Sequence, residues 1–590
     1  MRKKQKKGKG VFRRLLGYTR PYQKFLIPAL VACVIGVSLS LLAPVMVGRA
    51  IDYLVGPGQV AFGPVAQYLV ALVAVIALSA LFQYLMGILT NAVTYRTARD
   101  LRKAVFGKLN ILPLKTLDSG ERGDTINRVI TDIDLISDGI MHFFTQMFNG
   151  VVTVVMTLIF MFGLNVPLAL VVVILTPFSL LVSYFIAKKT GGKFREQAKL
   201  RGDIGAFAEE RITNQRLTRA FCAEENAQGT FEEINQRLYE CGWKAQFYSA
   251  ITNPGTRFIN AIVTAAVAVC GGLLAVHAEG GMWALTVGEL SSFILFANQY
   301  AKPFNEITGV VTELQNAYAS AVRIFETLDE TPESDDSALP SLQMKDGNVR
   351  LEHVCFSYDK ERPLIRDINL DVRKGERVAI VGRTGCGKTT LINLLMRFYD
   401  LDSGRILIDG QDIAQMTRDS LRAVFGMVLQ DTWIFTGTVR ENIAYGKPDA
   451  TDEEIIAAAK AAHAHSFIKR LENGYDTMLH GDALRLSQGQ RQLISIARVM
   501  LVSPPILILD EATSNIDTMT ERRIQKAFDR MMEGRTSFVV AHRLSTIKEA
   551  DVILMMDAGR VLEQGTHEEL LAKDGAYAKL YRSQFEGGEE

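Results

Sequence analysis

Six apolar stretches in the first half of this 590-residue chain constrain its fold more than any other feature. A helix that crosses a bilayer needs about 20 mostly apolar residues, because its backbone polar groups must all be satisfied inside the span. The stretches run over residues 25–47, 65–88, 143–162, 167–186, 258–277 and 287–301. The last is short and contains Ser291, Asn298 and Gln299, but six crossings return the chain to the side on which it begins. The mean hydropathy of +0.12 averages this apolar half with a second half that reads as a soluble domain.

Charge orients the spans. The chain opens on the basic run MRKKQKKGKG, and the first apolar stretch is too long for a cleaved leader. The three loops expected on the opposite face (52–63, 164–166 and 278–286) hold no Lys or Arg, although Arg49 ends the first span. The remaining connections carry Arg96, Arg99, Arg102, Lys103, Lys188, Lys189, Lys193, Arg195 and Lys199. This bias predicts cytoplasmic termini. The basic run also suits anionic lipid headgroups.

Two inner connections, 90–141 and 187–256, are long and carry apolar residues at helical spacing, as in Leu101, Val105, Leu109 and Leu112. They are expected to prolong the spans into the cytoplasm. Turning points are expected at Gly120, Gly123 and the run Ile212–Arg216, and these tips would touch a motor. Gln83, Tyr84, Asn149, Asn260, Asn298 and Gln299, with Glu306 just beyond the last span, are candidates to line a cavity or to pack helix on helix. Cys33, Cys222, Cys241, Cys270, Cys355 and Cys386 are scattered without metal-ligand spacing, which argues for reduced thiols. A net charge of +2 argues against nucleic acid as a partner.

The acidic, Ser- and Pro-rich run 330–342 reads as a linker, and beyond it short strands alternate with helices in a doubly wound α/β pattern. Gly382-Arg383-Thr384-Gly385-Cys386-Gly387-Lys388-Thr389 follows the apolar strand 377–381 and precedes a helix starting near Thr390. That is the context of a phosphate loop: glycines let backbone N–H groups close on phosphates, Lys388 pairs with them, and Thr389 offers a hydroxyl to Mg²⁺. Ile506–Asp510 reads as a buried strand ending in a carboxylate suited to Mg²⁺. Glu511 follows as the candidate general base for the attacking water.

With these motifs in this order, the chain resembles the ABC transporter superfamily, specifically exporters whose membrane and ATPase domains are fused. The resemblance implies a multi-domain membrane protein: a six-helix all-α membrane domain, then an α/β P-loop ATPase with a helical subdomain. It divides the chain into a basic tail and elbow helix (1–24), the membrane domain (25–322), a linker (323–342), the cassette (343–582) and an acidic tail (583–590). It also assigns roles. Tyr358 would stack on adenine, and Arg383, Thr384, Gly385, Cys386, Gly387 and Thr390 would complete the ATP loop. Gln430 would contact Mg²⁺ and water. Leu486-Ser487-Gln488-Gly489-Gln490 would be the signature that contacts ATP held by a second subunit. Asp517, in Ser514–Asp517, would sit on the dimer interface, and His542 would contact the γ-phosphate.

Two departures stand out. Gln488 replaces the usual glycine, as in the catalytically complete subunit of bacterial heterodimeric multidrug exporters. The run 479–485 lacks the usual Gly-Glu-Arg-Gly before the signature, leaving Asp482 as a substitute. Cys386 in the loop suggests that thiol reagents block ATP binding. The resemblance therefore implies an ATPase coupled to transport in the bacterial cytoplasmic membrane. Its cofactors would be ATP and Mg²⁺, its partner a second half-transporter in a heterodimer, and its cargo a hydrophobic or amphiphilic drug-like compound. A lipid or peptide exporter and an ATP-gated channel or sensor are the alternatives.

Overall fold

The computed structural model describes the chain apart from residues 1, 55–59, 119–121, 278–284, 430–431, 480–485, 511–516, 542–543 and 584–590. Side chains are further left undescribed at 2–9, 122, 179–180, 182–191, 252–253, 277, 305–309, 312 and 545. The chain divides into two compact units. One comprises Met1–Ile111 and Glu121–Thr331, and the other Leu112–Gly120 and Pro332–Glu590.

The first unit is helical: α1 (Arg2–Thr19), α2 (Gln23–Asp52), α3 (Phe62–Leu109), a rod α5 (Gly123–Leu164), α6 (Val166–Thr213), α7 (Gln215–Ala220), α8 (Glu224–His277) and α9 (Val287–Asp329). The short α4 (Leu114–Asp118) belongs to the second unit. Each expected apolar stretch falls within one of α2, α3, α5, α6, α8 and α9. Four helical stretches, 10–52, 62–109, 123–164 and 224–276, are long and apolar enough to cross a membrane, and α6 carries a shorter apolar run over Val166–Phe178.

Local chemistry sets the helix ends. Asn165 alone separates α5 from α6, and its side chain accepts from the Leu168 N–H at 3.1 Å, capping α6. Thr286 and Glu289 form a reciprocal capping box that starts α9. Two turns of α5, Arg128–Asp132 and Phe143–Phe148, open into wider π turns.

Small residues let the rods approach, as expected where lipid supplies no drive for helices to associate. A Cβ on Gly288 would lie 2.0 Å from the Gly48 carbonyl oxygen. Nearby, Ser292 Oγ donates to the Pro44 carbonyl at 2.8 Å, and Asp52 accepts the Gly288 N–H at 2.8 Å. Gly139 meets the Ala317 methyl in the same manner. The paired Asp132 and Arg323, with Ser320, join α5 to α9 below the apolar stretches. Ala321, Ile324 and Phe325 are buried beside them. These contacts carry α9 as a continuous helix to Asp329, beyond the residue-323 start of the expected linker.

The second unit is the α/β domain. Its strands are β1 (Val349–Phe356), β2 (Ile365–Val372), β3 (Arg377–Gly382), β4 (Ser403–Ile408), β5 (Gln411–Asp412), β6 (Phe425–Val428), β7 (Gly437–Thr438), β8 (Met478–Leu479), β9 (Ile506–Asp510), β10 (Thr536–Val540), β11 (Val552–Asp557) and β12 (Arg560–Gly565). The central sheet runs β12-β11-β3-β10-β9-β6, parallel except for β12, and a second, antiparallel sheet runs β2-β1-β4-β5. Both faces of the parallel sheet are covered. Ile506 and Ile508 of β9 join one apolar cluster with Leu391 and Phe538, and Leu507 and Leu509 join another with Leu493 and Phe528.

The run after α9 is fastened to this domain. Arg418, 5 % exposed, donates to the Ser334 carbonyl at 2.9 Å and pairs with Glu333 and Asp336. At the tip of the first long connection, Tyr399 donates to Asp118 of α4 at 2.5 Å. Burial and that carboxylate push the Tyr399 hydroxyl pKa up.

Candidate functional site

In a parallel sheet every strand ends on the same edge, so the chemistry of this domain converges there. The loop 382–389 leaves β3, the central strand of that edge. Gly385 and Gly387 sit at φ of +83° and +106°, in the left-handed region that side chains resist. A Cβ on Gly382 would lie 2.1 Å from the Met556 carbonyl oxygen, and one on Gly387 would lie 2.8 Å from Ile365 Cδ1. Only glycine fits this cradle. Gly387 then caps the helix Lys388–Leu395, whose N-terminus points its free N–H groups at the loop.

Lys388 is 8 % exposed, and its Nζ donates to the carbonyls of Gly382 at 2.8 Å and Arg383 at 3.1 Å. Its charge is thereby held inside the loop. Arg383, Thr384, Gly385 and Thr389 are exposed at the loop's surface. Tyr358 lies beside this helix, with its hydroxyl 3.4 Å from Thr390 Oγ1. Its ring stands edge-on to Phe356 and Tyr399, at centroid distances of 4.9 and 5.0 Å, and is 41 % exposed. Cys386 is buried, and burial raises its thiol pKa despite the opposing charge of Lys388. A buried, protonated thiol reacts slowly, so the thiol sensitivity read from the sequence meets a shielded group.

Asp510 ends β9 on the same edge, paired with Val540 of β10 in strand register. In sequence, Glu511 follows β9 directly, Gln430 follows β6 by two residues and His542 follows β10 by two. These three lie outside the described residues, as do Asp482 and Ser514, and the Glu306 side chain is likewise undescribed. The strands they follow flank one another in the order β10-β9-β6, with β3 next to β10.

The signature residues start another helix, Gln488–Val502. Ser487 is its N-cap: Ser487 Oγ accepts the Gln490 N–H at 3.3 Å, and the Gln490 side chain accepts the Ser487 N–H at 3.0 Å. Because Ser487 Oγ accepts in this box, its hydroxyl hydrogen is left to donate outward. Leu486 and Gly489 are buried, and Gln488 is half-buried. Asp517 caps the helix Thr518–Met532 by accepting the Thr520 N–H at 2.9 Å, and that bond holds its carboxyl below the ordinary range.

The polar residues of the apolar rods divide. Asn149 accepts a hydrogen bond from Cys33 at 3.4 Å, and Asn298 donates to the Ile294 carbonyl at 3.1 Å. Gln83 reaches Ser79 at 3.4 Å, and Tyr84 is exposed. A cavity of about 170 Å³ opens between α5 and α9, lined by Gln146, Met147, Gly150, Val154, Pro303 and Phe304 among others. Gln146 is the residue that sequence reading passed over. Its signal was present, an amide near the start of an apolar stretch, three residues before Asn149.

The family is decided by comparison with known proteins. Residues 26–304 match the ABC transporter transmembrane region, and residues 365–514 match the ABC transporter family. A fatty acid ABC transporter ATP-binding/permease protein of Mycobacterium bovis is 42 % identical over 89 % of this chain and 83 % of its own length. This chain belongs to the ABC transporter family. An uncharacterized ABC transporter ATP-binding protein of Bacillus subtilis, YfiC, is 39 % identical over 99 % of this chain and 96 % of its own. A putative multidrug export protein of the same organism, YgaD, is 35 % identical over 98 and 99 % of the two chains. The solved structure of a bacterial Atm1-family ABC exporter with ATP bound superposes with a TM-score of 0.77 at 30 % identity, covering 95 % of this chain and 98 % of that one. The ABC exporter is thus a membrane ATPase coupled to transport. The glycine cradle and the lysine held within it fit the phosphates of ATP.

Proposed function

We propose that this ABC exporter moves a hydrophobic or amphiphilic compound across the bacterial cytoplasmic membrane by alternating access, as one half of a dimer. The cavity between α5 and α9 carries this reading. Its walls are apolar but for the neutral amide of Gln146, which suits a greasy body with one hydrogen-bonding group and offers no partner to an ion. Relatives described as fatty acid and multidrug transporters both point to amphiphiles.

In the proposed cycle, Lys388 and the loop N–H groups bind the β- and γ-phosphates, and Tyr358 stacks on the base. Thr389, Gln430 and Asp510 would hold Mg²⁺, which neutralises phosphate charge when bound. Ser487 of a second subunit donates its free hydroxyl hydrogen to the γ-phosphate and thereby closes the two cassettes together. Glu511 accepts a proton from the water that attacks the γ-phosphorus, His542 orients that water, and ADP leaves as the bridging P–O bond breaks. The tips at α4 and α7 relay closure to the spans. With Gln488 in the signature and Glu511 and His542 both present in the sequence, we assign this chain the hydrolytic site of a heterodimer.

Uptake of a fluorescent amphiphile into inverted vesicles tests the reading. Uptake should need ATP and stop in Glu511→Gln, which still binds nucleotide. Equal uptake with a non-hydrolysable analogue would indicate gating instead of pumping. An active homodimer in native mass spectrometry would remove the heterodimer.

A further inference from the structure

The cavity of about 320 Å³ beneath α1 has no part in the cycle described above. Three elements of the membrane unit wall it: Phe12 and Leu16 of α1, Ile140 and Phe143 of α5, and Leu314 and Tyr318 of α9. Its size falls in the range of small-molecule sites, roughly 300–1,000 Å³. The lining is apolar almost throughout. Thr19 is an exception, and its hydroxyl is already spent on the Leu16 carbonyl at 3.0 Å. Apart from the Tyr318 hydroxyl, these side chains offer a polar occupant no partner.

The rim is of the opposite character. Arg13 stands one turn before Leu16 on α1, and Arg20 opens the short turn Arg20–Tyr22 directly after Thr19, the last α1 residue in the cavity wall, so the two flank the α1 wall in sequence. Both are exposed, and neither has an acidic partner among the described residues. Arg14 differs, being paired with Asp329 at 2.6 Å. The first 20 residues hold nine Lys and Arg and no Asp or Glu. Depth agrees with charge: the apolar stretch of α2 begins at residue 25 and that of α5 at Phe143, which is itself in the cavity wall. The site therefore lies where apolar medium gives way to the headgroup layer.

We propose that this cavity binds one anionic phospholipid of the leaflet on the N-terminal side, with an acyl chain between α1, α5 and α9 and its phosphate on Arg13 and Arg20. The π turn Phe143–Phe148 forms part of the wall, so an acyl chain seated there packs against the widened segment of α5. The assignment is independent of the transported compound.

The test uses the full-length transporter with its partner subunit, in nanodiscs of phosphatidylcholine and phosphatidylglycerol in equal parts, followed by native mass spectrometry after extraction. Wild type is expected to retain one phosphatidylglycerol at least tenfold over phosphatidylcholine. The double variant Arg13→Gln, Arg20→Gln should lose that preference. Leu16→Trp, which fills the cavity, and Leu16→Asp, which makes its wall polar, should lose bound lipid altogether. Position 16 is 46 % exposed, so neither change strains a core, and thermal unfolding of each variant should match wild type. Equal retention of the two lipids by wild type, or retention unchanged by both Leu16 variants, would overturn the proposal. So would efficient disulfide cross-linking of Leu16→Cys to the partner subunit, which would make the cavity a protein interface.

Discussion

The two units keep water from their apolar residues by opposite means. In β9, Ile506, Leu507, Ile508 and Leu509 are all within 1 % of full burial, because helices cover both faces of the sheet. In α3, Leu69, Val70, Val73 and Ile76 are 52, 71, 67 and 51 % exposed. The cassette carries its own solvent-free interior, whereas the membrane unit leaves that task to lipid. What holds the rods in register is therefore close contact between small residues such as Gly48 and Gly288, with few hydrogen bonds. What holds the cassette is area buried. The same change should thus act differently in the two units.

The largest contrast should come from the site itself. Lys388→Ala removes the charge parked on Gly382 and Arg383, and loss of one such positioned group costs about 10²–10³-fold in turnover. ATPase assays should show that loss with thermal unfolding of the membrane unit unchanged. Gln146→Ala, in the span cavity, should instead shift the apparent affinity for transported amphiphile and leave basal ATP turnover near wild type. If both variants fail in both assays, the two sites are not separable as drawn.

Next come the cores. Phe538 is fully buried in β10, and Phe538→Ala should destabilise the cassette by about 3–5 kcal/mol. Val70→Ala, on an exposed face of α3, should cost less than about 0.5 kcal/mol in lipid. Urea unfolding of the reconstituted protein, followed by limited proteolysis of each unit, reads both. A large cost at Val70 would show that a protein neighbour covers that face.

Close contact should show its own signature. Gly288→Ala puts a methyl against the Gly48 carbonyl, and such overpacking costs about 1–3 kcal/mol. Gly87→Ala meets nothing within 4 Å in the same class of helix, so it should be neutral or stabilising by up to about 1 kcal/mol. Equal melting temperatures for the two variants would mean that the glycine contact does not organise the rods.

How much of this was legible in the sequence follows from the same contrast. The phosphate loop could be read because its function dictates backbone geometry: only glycine sits easily at the φ values of Gly385 and Gly387, so chemistry and spelling coincide. The strand before it could be read because it is buried on both faces and hence apolar throughout. The Gly48–Gly288 contact could not, since a glycine in an apolar helix has no period and names no partner. The anchoring of residues 333–336 by Arg418 was equally hidden: an acidic, Ser-rich run reads as a linker until its partner, some 80 residues later, is known. Gln146 was visible as a polar residue, but nothing in its spacing distinguishes a cavity-lining amide from one that packs helix on helix, as with its neighbour Asn149. The order of the strands was not readable, because it depends on crossovers between segments that look alike.

The smallest predicted effect lies at the seam where the chain enters the cassette. Asp409, at φ of +49° after β4, accepts the backbone N–H groups of Lys345, Asp346, Gly347 and Asn348 at 2.8–3.1 Å. Partial burial raises its pKa, and the backbone bonds together outweigh that, so the carboxyl titrates below its ordinary value. A group whose folded pKa is lowered adds stability above its unfolded pKa and loses it as pH falls through the folded one. Here the unfolded value is 3.8, so the contribution is complete at neutral pH and fades only in stronger acid. Asp409→Asn keeps one acceptor oxygen but removes the charge, and should cost about 1–2 kcal/mol at pH 7. The deficit should begin to shrink as pH falls below 3.8 and vanish only once pH has passed the lower folded value, where the wild-type carboxyl is itself protonated. A deficit that persists unchanged in acid would mean that geometry, and not charge, makes this carboxylate the anchor of the seam.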